Sequence, residues 1–127
     1  MQIQLKDNLP FTSVMVSYRG VDILIPDILI DTGSGSTILS ASAVSAISIT
    51  PSPEDTLYTI RGVGGNEVVF SRKVDFFRVG DQSISDFEVE IGAMDYGFDI
   101  KGILGMDFLI RAGAIINLQN LHLEFVQ

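Results

Sequence analysis

Ile28-Leu29-Ile30-Asp31-Thr32-Gly33-Ser34 is the stretch that the rest of the chain serves. An apolar strand ends there in a polar turn, and an acid at the mouth of such a strand loses hydration unless its charge is used. Asp-Thr-Gly is also ordinary turn chemistry, since Asp and Gly both favour tight turns. What surrounds the turn decides between the two.

Upstream, Phe11 to Tyr18 partly alternates and is rich in strand formers, Arg19-Gly20 is a turn, and Val21 to Ile30 is extended again. This predicts a hairpin that delivers Asp31 at its end, with Pro26 at an edge or a bulge. Downstream, Ser40 suits the cap of a short helix over residues 41–46, and Pro51-Ser52-Pro53-Glu54-Asp55 is a break. Thr56 to Ile60 and Glu67 to Ser71 are β-rich arms around Arg61-Gly62-Val63-Gly64-Gly65-Asn66. Glycine lacks a Cβ, so such a tip can bend and lay its amides close to a ligand; a plain hairpin turn is the simpler alternative.

A further hairpin is expected from Val74 to Val79 and Ile84 to Ile91 around Gly80-Asp81-Gln82, followed by a loop from Gly92 to Lys101. Gly102-Ile103-Leu104-Gly105 then runs into a helix over Met106 to Gly113, where Asp107 and Arg111 suit the helix dipole and each other and Gly113 is the stop. Residues 114–118 and 121–125 make a closing hairpin around Gln119-Asn120, with His122 outward beside Glu124. The fold class expected is mainly β, a closed or nearly closed β-barrel with one or two short helices.

The 127 residues suit a single domain, residues 1–127. Apolar residues reach 46% and charged ones only 19%, more apolar surface than a small monomer hides easily, so a second copy is the natural cover. A formal charge of -8, with no basic cluster larger than Arg72-Lys73, argues against nucleic acid or an anionic membrane as partner. With no cysteine and one histidine, neither a disulfide framework nor a zinc cluster is expected; no metal and no cofactor is called for. No run has the length of a membrane span and the N-terminus lacks a signal-peptide core, so the expected setting is cytoplasmic.

Asp31-Thr32-Gly33-Ser34 after an apolar strand resembles the active-site loop of aspartic proteases. The glycine-rich tip and Ile103-Leu104-Gly105-Met106-Asp107-Phe108-Leu109 fall where that family has its flap and its second glycine turn with helix. Order and spacing look like the retropepsin, or retroviral-type, branch, in a stand-alone bacterial or cellular form, over about Pro10 to Phe125. The resemblance implies an aspartic endopeptidase in which Asp31, Thr32 and Gly33 are catalytic. Thr32 locks the paired loops across the axis, Gly33 permits the tight turn, and Ser34 can hydrogen-bond a catalytic carboxylate. It implies that Ser34, Gly35, Ile38, Gly62, Val63, Gly64, Gly65 and Ile103 meet an extended polypeptide substrate, with apolar side chains preferred beside the cut.

Peptide hydrolysis by carboxylates needs one to take a proton from water and another to give one to the carbonyl oxygen. Two carboxyl groups about 3 Å apart share a proton and can fill both roles. This chain has one Asp-Thr-Gly, so activity requires a homodimer with Asp31 facing Asp31. Two features depart from the retroviral pattern: Gly35 stands where an acid commonly grips the substrate backbone, and a hairpin replaces the single terminal strand. The alternatives are a catalytically silent retropepsin-like domain used for protein binding or dimerisation, and an unrelated β-barrel binding module.

Overall fold

The computed structural model describes residues 1–62, 65–94 and 99–126. Among these, ten strands form one sheet in the order β5-β6-β9-β4-β10-β3-β2-β7-β8, with β1 also on β2, and β11 and β12 form a separate pair. The strands are β1 (Gln4–Lys6), β2 (Leu9–Tyr18), β3 (Val21–Ile30), β4 (Ile38–Ser40), β5 (Tyr58–Gly62), β6 (Gly65–Lys73), β7 (Phe76–Val79), β8 (Gln82–Ser85), β9 (Glu88–Gly92), β10 (Gly102–Leu104), β11 (Ala114–Asn117) and β12 (His122–Phe125). Two helices, α1 (Ala41–Val44) and α2 (Met106–Ala112), complete the described elements with a 3-10 turn over Ser45–Ile47. The mainly-β class and the short helices are as expected. The strand order has β5 at one end and β8 at the other. No helix among the described residues is long and apolar enough to cross a membrane.

The hairpin β2–β3 forms as expected, with a register shift between Thr12 and Val14 where residues 26 and 27 stand opposite Ser13. Pro26, which cannot donate to a ladder, is therefore tolerated in a bulge of a central strand rather than at an edge. The hairpin expected over 74–91 is different. Asp86, at φ 52°, breaks the second arm, so that Gln82–Ser85 returns along β7 while Glu88–Gly92 crosses to lie between β6 and β4. The short helix at 41 also departs from expectation: the Ser40 hydroxyl pairs with that of Ser42 at 2.8 Å and does not cap α1. In α2, Gly113 closes the helix at φ 65°, its N–H reaching the Ile110 and Leu109 carbonyls.

Two apolar clusters lie on opposite faces of the strands that carry the acidic turn. The larger holds Ile28, Leu39, Ile91 and Leu104 with the rings of Phe77, Phe87 and Phe108, whose centroids are 5.2–5.9 Å apart. The smaller consists of Phe11, Ile38, Met94 and Ile100, with Leu29, Ile60 and Ile103 against it. Register explains the division, because Phe11, Leu29, Ile103, Ile38 and Glu90 stand side by side across β2, β3, β10, β4 and β9. Their neighbours one residue on, among them Ile28 and Leu39, point the other way.

At the base of the β5–β6 hairpin, Arg72 reaches Asp55 at 2.8 Å, the Thr50 carbonyl at 3.0 Å and the Tyr18 hydroxyl at 3.1 Å. The Ser52 amide chiefly, with Arg72 added against the cost of burial, holds the Asp55 carboxyl below the usual range. The break at Pro51–Asp55 is thus clasped to the hairpin it precedes.

Candidate active site

Residues 31–37 join β3 to β4, and these strands are not neighbours: β10 runs between them, parallel to β3 and antiparallel to β4. The connection must therefore cross the end of β10, about two strand spacings wide. Gly105 lies under that crossing. A Cβ there would come within 2.3 Å of the Ser36 carbonyl oxygen and 2.5 Å of its carbon, so only glycine fits.

The turn itself is held by its own backbone. Asp31 donates its N–H to the Leu104 carbonyl at 3.0 Å, and its carbonyl accepts the Ser34 N–H at 3.2 Å. One carboxylate oxygen of Asp31 accepts the Gly33 N–H at 2.8 Å, which fixes the side chain while leaving the residue half-buried. Thr32, Gly33 and Gly35 are exposed. The acid thus sits at the rim of the sheet with its flanking residues open.

Beside it, Thr32, Met106, Leu109, Ile110, Gly113, Ala114 and Ile116 line an apolar groove of about 380 Å³. Ile110 on its rim is 69% exposed.

Ser34 behaves differently from expectation. Its hydroxyl donates to the Ser36 carbonyl at 2.7 Å, so within the chain its proton is committed to the loop and not to the carboxylate of Asp31. Gly35 has open space where a Cβ would stand, leaving no side chain to grip a substrate backbone. Ile38 and Ile103 are register partners in the smaller apolar cluster, with Ile60 of the β5–β6 hairpin against it. Ile38 is buried and Ile103 half-buried. Gly62 and Gly65 pair as the last register of that hairpin, while Val63 and Gly64, the expected tip, lie outside the described residues.

Three contributors were not read from sequence. Thr37 is fully buried and donates its hydroxyl to Asp107 at 2.7 Å, its N–H to the same carboxylate at 3.1 Å, and accepts the Gly105 N–H at 3.1 Å. Asp107, expected to pair with Arg111, instead clasps the loop over residues 31–37 to α2 and also accepts the Phe108 N–H at 2.7 Å. Arg111 lies over the Phe87 ring, 5.7 Å from its centroid. Glu67 on β6 accepts the Met94 N–H at 2.6 Å, holding a buried residue at φ 57° under the hairpin. A sequence signal existed for Thr37 alone: a polar side chain at the head of Ile38-Leu39 needs a buried partner.

Among the described residues no group of His, Cys, Asp and Glu is arranged to hold a metal ion. The chemistry available at the turn is carboxylate chemistry.

No curated protein matches the chain. Among solved structures it resembles a retropepsin-like aspartic protease from Rickettsia conorii, 18% identical, over 97% of this chain and 95% of that one, with a TM-score of 0.68. At that identity the likeness bears on fold, and the fold is retropepsin-like. An aspartyl protease family model matches residues 14–108, which takes in β3, the acidic turn, both arms of the hairpin, Gly105 and the first turn of α2. The expectation of an unrelated binding barrel is thereby set aside, and the chain belongs to the aspartyl protease family.

Proposed function

We propose that the chain, residues 1–127, is one lobe of a homodimeric aspartic endopeptidase, in which Asp31 of two copies meet at a two-fold axis. The observation that carries this is the single acidic turn, open at Thr32 and Gly33 and bordered by an apolar groove that includes Thr32. If two Asp31 side chains stand about 3 Å apart, whatever surrounds Thr32 lies against the partner. The groove between α2 and β11 meets that demand. Beside it the edge of β11 away from β12 carries no strand among the described residues.

In the assembled pair, one Asp31 carboxylate takes a proton from a water held between the two side chains, and the water oxygen bonds to the scissile carbonyl carbon. The protonated partner gives its proton to the carbonyl oxygen, so that charge does not accumulate there. As the C–N bond breaks, the first carboxyl gives its proton to the amine nitrogen and the second takes a hydroxyl proton from the tetrahedral intermediate, which releases acid and amine and restores the shared proton. The β5–β6 hairpin acts as the flap, with Gly62, Val63, Gly64 and Gly65 bringing backbone amides over an extended polypeptide. In the same reading the ten-stranded sheet curls into the nearly closed barrel of a retropepsin lobe.

Ile38 and Ile103, with Leu29 and Ile60, give the apolar face beneath that flap. A randomised peptide library should return apolar residues on either side of the cut; charged residues there would contradict this assignment of the face.

Dimerisation gives the direct test. Dilution should lower the activity per mole as the pair dissociates. Ile110→Glu should weaken self-association about thirty-fold or more, as loss of a buried interface anchor does, with activity regained at higher protein concentration. Sedimentation velocity alongside a fluorogenic peptide assay checks both. Cleavage by a species that stays monomeric at every concentration ends the two-copy reading.

A further inference from the structure

On β9, Val89 and Ile91 are fully buried in the main core, and Glu90 between them points to the opposite face, beside Ile38. Its backbone N–H donates to the Thr37 carbonyl at 3.0 Å, so the residue is tied to the end of the catalytic loop. One oxygen of its carboxyl is buried with no hydrogen-bond partner among the described residues. The charged groups that act on it are Asp107 from α2, Glu88 from its own strand and Glu67 from β6, and all three are acids.

Glu90 and Asp107 are both hydrogen-bonded to Thr37, and their carboxyl groups are provided for differently. Asp107 accepts three donors, from the Thr37 N–H, the Thr37 hydroxyl and the Phe108 N–H. A bare buried oxygen favours the protonated form of Glu90, against a Ser36 hydrogen bond that favours the ionised one. Glu90 is thus suited to hold a proton, while the Asp107 carboxyl grips Thr37.

We propose that Glu90 is a positioning residue for the catalytic turn: protonated, it leaves the Asp107–Thr37 clasp undisturbed, and ionised, it pushes against Asp107 and loosens that clasp. The turn concerned is the one assigned above, so the role in catalysis rests on the protease reading, while the linkage between the two acids does not. Burial holds the Glu90 carboxyl above the usual glutamate range, with Asp107, Glu88 and Glu67 adding to the rise and Ser36 opposing it. For a group raised in the folded state, the stability linked to its proton is complete below its unfolded value. That stability is lost as pH rises through its folded value.

Carboxyl-carbon NMR of the wild-type protein tests this without any substrate. Glu90 should titrate above the ordinary glutamate value of about 4.3, and the amide resonances of Thr37 and Phe108 should shift with the same midpoint. A midpoint at or below the ordinary value, or Thr37 and Phe108 amides that do not follow Glu90, overturns the proposal. Thermal unfolding adds a second readout. Glu90→Gln should match the wild type in acid and exceed its Tm by about 3 °C above neutrality. A difference that is the same at every pH counts equally against it. A protein inactive on peptides with a raised, coupled Glu90 midpoint would remove the protease reading and leave this linkage standing; an active one with an ordinary midpoint does the reverse.

Discussion

Asn in place of Asp31 should lower peptide cleavage by roughly 10³-fold or more, with fold and self-association unchanged. The substitution keeps the shape of the side chain and an oxygen that can accept the Gly33 N–H, so the turn loses no backbone contact. In the proposed pair it removes proton exchange from both sides of the dyad at once, because each copy would supply the same residue. General acid and general base assistance are each worth about 10²–10⁴ in rate, and here one substitution removes both. The assay is hydrolysis of a fluorogenic peptide from about pH 3 to about pH 8, spanning the ordinary and shifted carboxyl range, beside sedimentation and circular dichroism of the same samples. Undiminished cleavage by the variant would exclude Asp31 as the catalytic acid. Absence of cleavage by the wild type throughout that range would favour the silent, binding form of the domain.

The largest effect on the folded state is expected from Gly105→Ala. The added carbon would meet the Ser36 carbonyl group at 2.3–2.5 Å and the Ser34 carbonyl oxygen at 3.0 Å, and all of these are backbone atoms of the loop that carries Asp31. They can give way only by lifting the loop off β10. That breaks the Met106 N–H bond to the Ser34 carbonyl and the Gly105 N–H bond to Thr37. Overpacking of this kind costs about 3 kcal/mol, and the loop that shifts is the one carrying Asp31. Urea unfolding should show the loss, and activity should fall even where the protein remains folded. Gly35→Ala is the control, since nothing lies within 4 Å of its added carbon and its φ is not positive; its stability should stay within about 0.5 kcal/mol of wild type. Equal behaviour of the two variants would mean that the crossing over β10 is not as close as described.

The parts of this arrangement that follow from local chemistry were legible in the chain. Alternation and turn residues announce the β2–β3 and β11–β12 hairpins, and Gly113 announces the end of α2. The apolar run into Asp31 announces the acidic turn at the end of β3. What escaped depends on which distant segments meet. Nothing in Ile84 to Ile91 shows that Asp86 takes a left-handed conformation and sends the second half of the run to another part of the sheet. Asp107 satisfies every rule for a helix first turn, and only the crossing loop reveals that its carboxylate serves Thr37, 70 positions earlier. Ser34 likewise has two plausible acceptors by spacing, and the fold of the loop gives its proton to Ser36. The tertiary neighbour overrides the local preference in each case.

The central place of β10 bears on how the molecule comes into being. Its three residues fill the gap between β3 and β4, yet they are made some 60 residues later, after every other strand of that sheet. A polypeptide still emerging from the ribosome, and not yet past Leu104, carries the acidic tripeptide with no floor beneath it and no anchor for the Asp31 amide. Long-range closure of this sort comes late in folding. Synthesis order alone therefore leaves the acidic turn unsupported in the nascent chain until Leu104 has been made.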